Sequence, residues 1–252
     1  MISFAIPAHN EERLIGAVVR AIGDAARACG VEFDITVADD ASTDATARIA
    51  AEAGARVVRI ERRQIAASRN AAARASAGER LVFVDGDTVL TAEALRGIVA
   101  AFEAGAAGGG TRIKFDGRIP LWARIVGPVA TRMLWWSGYT GGACLFCRRE
   151  VFDAVGGFDE TVYASEEIWF AKAVRQHGRF VVVREPVVTS ARKLRSFSGW
   201  ETLWLMTRMA LRGPGSVNQR EGLELWYGPR REDPGSEIEQ AGGAPPRDDA
   251  RR

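Results

Sequence analysis

Within the first 84 residues, four short strand-like runs, at 2–7 (ISFAIP), 34–38 (DITVA), 55–60 (ARVVRI) and 81–84 (LVFV), alternate with three stretches of helical periodicity. Few folds accept that alternation. Over 11–29, Leu14, Val18, Ile22 and Ala25 recur on one helical face, and helical stretches follow at 43–53 and 65–77. Strands that read as continuous apolar runs, not as every second residue, are buried on both faces. The expected fold is therefore α/β, a mostly parallel sheet with helices on both faces. Beyond Asp87 the winding becomes less regular, with a helix over 92–104, a glycine-rich break at 108–110 and mixed elements to 188. We read 1–212 as one domain with halves at 1–90 and 91–212. From 213 onward GPG, GPRREDPG and GGAPPRDD crowd out core-forming residues. The tail, 213–252, is expected to be largely disordered, about the last 25 residues above all, with Leu223, Leu225, Trp226 and Tyr227 able to anchor a short docked piece.

In open sheets of this kind ligands bind beyond the carboxyl ends of the strands, so the residues directly after each run carry the functional information. They are strongly polar. The first run ends in Pro7-Ala8-His9-Asn10-Glu11-Glu12, the second in Asp39-Asp40-Ala41-Ser42-Thr43-Asp44 and the fourth in Asp85-Gly86-Asp87. Acidic groups gathered on one edge repel one another unless a cation or a donor-rich ligand sits among them. Asp85 and Asp87, with glycine between, can turn carboxylate oxygens toward one hard cation, Mg²⁺ or Mn²⁺, that keeps positions open for phosphate oxygens. A solvated turn is the alternative for an isolated Asp-Gly-Asp. For Asp39-Asp40 it is a helix start capped by Ser42 or Thr43, against an acceptor for a nucleobase imide or a ribose hydroxyl.

PAHNEE, ADDASTDAT, IAASRNAAARASAG and LVFVDGDT, followed by Thr140-Gly141-Gly142-Ala143, GGFDE at 156–160 and Ser165-Glu166-Glu167-Ile168, together resemble the successive motifs of the family 2 glycosyltransferases. The resemblance covers about 2–195. It implies a GT-A fold, Rossmann-like, and metal-dependent inverting transfer of one sugar from a nucleotide-diphosphate sugar to an acceptor hydroxyl. The halves 1–90 and 91–212 then become nucleotide-binding and acceptor-binding. Pro7, Ala8, His9 and Glu11 match the first nucleotide-contacting loop. In the pair Asp39 and Asp40, the second matches the aspartate that reads the base. Arg69 and Asn70 match an Arg-Asn pair on the helix facing the nucleotide. Asp85, with Gly86, matches the first member of the DXD motif, on ribose or donor sugar, and Asp87 the second, which holds the metal on the diphosphate. Gly141, Gly142 and Ala143 correspond to backbone bordering acceptor and donor sugar. Glu166 and Glu167 correspond to a Glu-Asp pair whose second acid is the catalytic base. Here that acid is a glutamate, one methylene longer, and either Glu166 or Glu167 can fill the role. A solvated residue at a helix start is the alternative for Glu167.

Arg192, Lys193 and Arg195 form a basic cluster that could embrace the diphosphate or an anionic acceptor, or form a solvated face. The Gln-X-X-Arg-Trp motif of processive members is absent from the sequence, which favours single-sugar transfer. A nucleotidyltransferase is a second reading, although such enzymes need a glycine-rich basic loop after the first strand, where this chain has acidic PAHNEE. A non-catalytic nucleotide-sugar-binding protein is a third.

Lys and Arg total 34 against 32 Asp and Glu, a formal charge of +2 that gives no footprint for nucleic acid. Cys29, Cys144 and Cys147 cannot build a disulfide framework, and the amino terminus does not read as a secretory leader, so a cytoplasmic location is expected. The segment 119–136 is broken by Arg124, Pro128 and Arg132 and falls short of the roughly 20 apolar residues of a membrane span. Leu121, Trp122, Ile125, Val126, Val129, Met133 and Trp136 share one broad helical face there. That suits peripheral association with the cytoplasmic face of a membrane, or equally a core helix or acceptor-pocket wall. With Trp200, Trp204 and Met206, the tryptophans suggest a carbohydrate-stacking or lipid-linked acceptor surface.

Overall fold

A computed structural model describes residues 1–136, 141–212, 218–220, 222–223, 227–228, 233 and 235–240. In chain order the elements are β1 (Ile2–Ala8), α1 (Ile15–Ala28), β2 (Phe33–Asp40), α2 (Thr46–Glu52), β3 (Arg56–Ile60), α3 (Ile65–Arg74), β4 (Arg80–Val84), β5 (Thr88–Val89) and α4 (Ala92–Glu103). The second half adds β6 (Gly108–Phe115), α5 (Leu121–Trp136), β7 (Cys144–Arg148), α6 (Arg149–Val155), α7 (Glu166–Gln176), β8 (Phe180–Thr189), α8 (Arg192–Ser196), α9 (Gly199–Arg212) and α10 (Glu237–Gln240).

Eight strands form one sheet in the order β3-β2-β1-β4-β7-β6-β8-β5. β1 pairs in parallel with both β2 and β4, and β2 with β3, which is the doubly wound half the apolar runs implied. In the second half β7 runs antiparallel between β4 and β6, while β8 returns parallel to β6. The sheet is thus mixed, and its turning point lies beside β4, where Asp85-Gly86-Asp87 emerges. Alternate residues serve the two faces. Phe4, Ile6, Val82 and Phe146 pack with α1 and α4 on one side, and Ala5, Leu81, Phe83 and Leu145 with α3, α6 and α7 on the other. Cys144 and Cys147, three apart on β7, fall on opposite faces. Burial pushes both thiols up, Cys144 to about 12, so they are inert core residues without redox character.

The glycine-rich stretch 108–110 is not a break. It opens β6, sandwiched between β7 and β8. A Cβ on Gly109 would lie 2.0 Å from the Val181 carbonyl oxygen, so the missing side chains let the backbone pack where no other residue fits.

At its described positions the tail is anchored, at Leu223 as its sequence suggested and at Asp233 and Ile238 where the composition suggested disorder. Leu223 packs with Val162 and Ala164, and Ile238 is fully buried among Leu14, Ala17, Ala21, Val89 and Val188. Asp233 pairs with Arg195 at 2.6 Å. One isoleucine and one aspartate find partners that sequence distance conceals. The expectations for Leu225, Trp226 and 241–252 lie outside the described residues.

On α5, Leu121, Ile125 and Val126 are exposed, Leu121 by 69%. On α9, Trp200 and Trp204 are exposed, Trp200 by 76%. The two helices meet where Trp122 lies against Gly199. No helix among the described residues is long and apolar enough to cross a membrane. The side chains of Val129, Met133, Trp136 and Met206, and Thr140 entirely, lie outside the described residues.

Candidate active site

The ends of β1, β2 and β4, the start of α3 and the short helix α8 enclose a cleft of about 640 Å³, counting its part open to solvent. Pro7, Ala8, His9 and Glu11 line it from the first loop, Asp40 from the second strand, and Asp85, Gly86 and Asp87 from the fourth. Arg63, Gln64, Ile65, Ser68, Lys193 and Tyr227 complete its wall.

Hydrogen bonds from backbone amides to side-chain oxygens join the first two loops. The Asn10 amide donates to Ser42 Oγ at 2.9 Å, the Thr43 amide to Asn10 Oδ1 at 2.9 Å and the Glu11 amide to Thr46 Oγ1 at 2.8 Å. Ser42 and Thr43 therefore hold the first loop and do not cap α2, which begins at Thr46. Among described residues other than glycine, positive φ occurs only at Asn10 (51°), Ala41 (55°), Arg63 (50°) and Ser165 (64°). The first three adjoin cleft residues or line the cleft, and Ser165 turns the chain into α7 directly before Glu166. For L-residues this conformation costs roughly 1–2 kcal/mol each, a cost that persists where surrounding structure imposes it.

Both oxygens of Asp40 are engaged. Oδ1 accepts the Arg62 and Arg63 amides at 2.8 and 2.7 Å, and Oδ2 accepts the Gln64 amide at 2.8 Å and the Ser68 hydroxyl at 2.9 Å. A carboxylate offers about four acceptor positions. Asp40 therefore organises the 62–64 loop from within the cleft wall. His9 Nδ1 donates to the Asp40 carbonyl at 2.7 Å and Nε2 meets the Arg63 guanidinium, which fixes the neutral tautomer. Asp39 lies on the other face of β2, outside the cleft wall, 3.8 Å from Arg59.

At the opposite end of the cleft, Gly86 brings the Asp85–Asp87 turn against β1. A Cβ there would meet the Pro7 carbonyl oxygen at 3.0 Å. Among the described residues no three carboxylate, imidazole or thiolate groups converge as a metal cage. Asp85 and Asp87 nevertheless supply the one or two carboxylates a Mg²⁺ or Mn²⁺ takes when phosphate oxygens fill its other positions, and the donor set fits. Arg192 grips Glu11 with two bonds, at 2.8 and 3.0 Å, and stands 3.6 Å from Asp87. It bridges the first loop and the Asp85–Asp87 turn, and Lys193 is the cation of α8 that lines the cleft.

Arg69 is the hub. From α3 its guanidinium donates to Glu166 and Asp85, each at 2.8 Å, and to the Gly142 carbonyl at 2.9 Å. Burial alone would favour discharge. The two carboxylates outweigh it and raise the arginine's pKa. Glu166 is thereby committed to an ion pair. Glu167, beside it in the first turn of α7, makes no ion pair among the described residues, and a Cβ on Gly142 would stand 3.2 Å from its Cγ. Burial, with Glu166 adjacent, pushes the Glu167 carboxyl up to about 7.

Asn70 and Arg195 are turned to other partners, and Asp39, Arg69, Gly141, Gly142, Glu166, Glu167 and Arg192 likewise stand outside the lining of this cleft. Asn70 spends its amide on the 156–160 loop: Nδ2 donates to the Phe158 carbonyl and to Glu160, both at 2.9 Å, and Oδ1 accepts the Phe158 amide at 2.8 Å. Gly157, at φ 84°, leaves the space this needs, since a Cβ would stand 2.6 Å from Asn70 Oδ1. Arg195 binds Asp116 and Asp233 and so anchors the tail, not a diphosphate. Gly141 lies under Ile113, whose Cδ1 a Cβ would meet at 2.1 Å. Of the wall residues that motif reasoning missed, Arg63, Gln64, Ile65 and Ser68 surround the IAASRN motif already recognised. Tyr227 carried only an anchoring signal.

The sequence model of the family described as Glycosyl transferase family 2 matches residues 3–156. No curated protein matches the chain. Among solved structures, S. aureus TarS 1-349 in complex with UDP is similar at 20% identity and TM-score 0.58, over 75% of this chain and 60% of that one. Mannosyltransferase PcManGT from Pyrobaculum calidifontis, in complex with GDP-Man and Mn²⁺, aligns at 21% identity and TM-score 0.59, over 82% and 60%. Glucosyl-3-phosphoglycerate synthase from Mycobacterium tuberculosis, in complex with Mn²⁺ and UDP-Glc, aligns at 20% and 0.58, over 84% and 76%. This chain spans about three fifths of the TarS 1-349 structures it matches. At such identities the likeness is one of fold.

Proposed function

The chain belongs to glycosyl transferase family 2, and from that premise we propose that it moves one sugar, with inversion, from a nucleoside-diphosphate sugar to an acceptor hydroxyl. The observation that carries the reading is the pairing of Glu166 with Arg69, which leaves the neighbouring Glu167 as the one acid of the pair without a cationic partner among the described residues. A carboxyl raised to about 7 is suited to take a proton near neutral pH. Acting as the base of one direct displacement, it would give the inverting course.

Asp87 and Asp85 would hold a divalent cation, Mg²⁺ or Mn²⁺, whose chemistry is to neutralise charge on the departing diphosphate. Lys193 lines the same cleft and adds a positive charge to its wall. Arg69 orients Asp85 and Glu166, and its bond to the Gly142 carbonyl links the donor edge to the backbone beside Glu167. Arg192 aligns Glu11 with the Asp87 turn. The similar structures carry UDP, GDP-Man with Mn²⁺, and UDP-Glc with Mn²⁺, which supports a donor of this class.

The acceptor side has its own support. Exposed Leu121, Ile125, Val126, Trp200 and Trp204 lie on adjoining helices, and α5 carries Arg124 and Arg132 with no acidic residue. An apolar face with basic residues suits a membrane interface and a lipid-linked acceptor. The free thiols of Cys29, Cys144 and Cys147 fit the cytoplasmic side.

Calorimetric titration with UDP, GDP and their sugar conjugates, with and without Mn²⁺, tests the donor reading. One nucleotide should bind in a metal-dependent manner, and Asp87→Ala should abolish that dependence. Equal binding by the variant would remove Asp87 as a ligand, and no binding by the wild type would remove the donor site.

A further inference from the structure

The cleft is not closed by the motif-bearing half of the chain alone. Tyr227, 67 residues beyond the last glycine-rich motif, lines it beside Ile65 and stacks edge-on against Tyr163 with ring centroids 5.8 Å apart. It is held there from both directions. Upstream, Leu223 is buried against Val162 and Ala164, and Arg208 donates to the Gly222 carbonyl. Downstream, Asp233 takes two bonds from Arg195, each at 2.6 Å. The buried Asp116 accepts the Ser236 hydroxyl at 3.0 Å and the Glu237 amide at 3.1 Å, and Ile238 fills an apolar hole. These contacts fix described residues on both sides of Tyr227.

The Tyr227 hydroxyl is buried and donates to no group among the described residues. A buried donor left unmatched is costly, and a ligand that accepts from it removes the cost. The ring lines the cleft, with the Arg220 guanidinium 5.9 Å from its centroid and Tyr163 set edge-on against it, and an aromatic ring at a cleft wall is a surface on which a base can pack.

We propose that Tyr227 is a donor-binding residue: its ring packs against the nucleoside of the donor and its hydroxyl donates to a nucleoside oxygen, with the Arg195–Asp233 latch positioning it. The proposal rests on the donor reading above. It also fits the engaged state of Asp40, since recognition of the nucleoside is then shared between the wall that Asp40 organises and Tyr227. Burial raises the phenol's pKa, so the hydroxyl keeps its proton across the working range.

The test is calorimetry on the full chain with UDP, GDP and inorganic pyrophosphate, for wild type, Tyr227→Phe, Tyr227→Ala, Asp233→Asn and the Tyr227→Ala/Asp233→Asn double variant. Tyr227→Phe should weaken the bound nucleotide about 2- to 10-fold, the loss of one hydrogen bond. Tyr227→Ala should weaken it by about 5- to 100-fold, the loss of a stacking surface as well. Pyrophosphate affinity should stay unchanged in both. Asp233→Asn should weaken the nucleotide, and the double variant should bind no worse than Tyr227→Ala, because the latch acts through the tyrosine. Unchanged nucleotide affinity in Tyr227→Phe and Tyr227→Ala overturns the proposal while leaving the donor site standing, and so does an equal loss for pyrophosphate. A wild type that binds pyrophosphate but neither nucleotide overturns the donor reading and this inference with it.

Discussion

Replacing Arg69 by methionine keeps the straight stem and removes the charge that joins both halves of the site. The wild-type guanidinium side chain is 3% exposed and makes three hydrogen bonds, to Glu166, Asp85 and the Gly142 carbonyl. Its two partners do not weigh equally. The Glu166 side chain is 6% exposed, so its charge would be stranded, and an uncompensated buried charge costs about 3–5 kcal/mol. Asp85 is 33% exposed, so water replaces most of what it loses and it adds ~1 kcal/mol or less. The expected destabilisation is about 4 kcal/mol, or ~8–16 °C in Tm for a chain of this size. Urea denaturation near pH 7.5, followed by the fluorescence of the seven tryptophans, measures it directly. The decisive comparison is Arg69→Met with Glu166→Gln in the same chain. If stranded charge is the cause, the second change should restore more than half the loss. A single-variant loss under 1 kcal/mol, or a double variant as unstable as the single, refutes the reasoning.

Glu167→Gln should lower kcat by about 10²–10⁴ while leaving donor affinity in place, and wild-type kcat should rise with pH through about 7 as the carboxyl ionises. A flat profile would remove Glu167 as the base. The same raised carboxyl has a stability consequence: its contribution is fully present below its ordinary value near 4.5 and is lost as pH rises through about 7. At pH 8 Glu167→Gln should therefore outlast wild type in urea, by up to ~3 kcal/mol, and the two should converge at pH 4.5. Asn70→Ala leaves the Phe158 amide and carbonyl without partners and should cost about 1–3 kcal/mol, read as a shift in urea midpoint. Vesicles containing anionic lipid should carry the wild type in flotation and release the Leu121→Ser/Ile125→Ser/Trp200→Ser/Trp204→Ser variant; equal flotation of both would exclude the α5–α9 face.

The apolar runs of β1, β2 and β4 and the polar residues after them are local patterns, and the edge on which Pro7, Asp40, Asp85 and Asp87 meet followed from them alone. The direction of β7 did not. Apolar continuity is the same in a parallel strand and an antiparallel one, so CLFC fixes burial without orientation. Likewise Gly108–Gly110 carries a turn-like composition, and only the approach of Val181 and Phe146 makes it a strand.

What the sequence determined by itself is the chemistry offered at the strand ends: two carboxylates around Gly86, a pair of glutamates at the start of α7, and arginines in number enough to hold them. What only the tertiary structure decided is which charge holds which. Arg192 and Arg195 are three residues apart and look alike in the chain. One reaches back 181 residues to Glu11, and the other binds Asp116 and Asp233 and ties down the tail. Adjacent Asn70 and Arg69 part company in the same way, one to the loop at 158–160 and the other to Asp85 and Glu166. A side chain's type sets what it can bond. Its partner is set by the direction of the backbone beneath it and by the burial that makes an unpaired charge too costly to leave, and both of these exist only once the sheet has assembled.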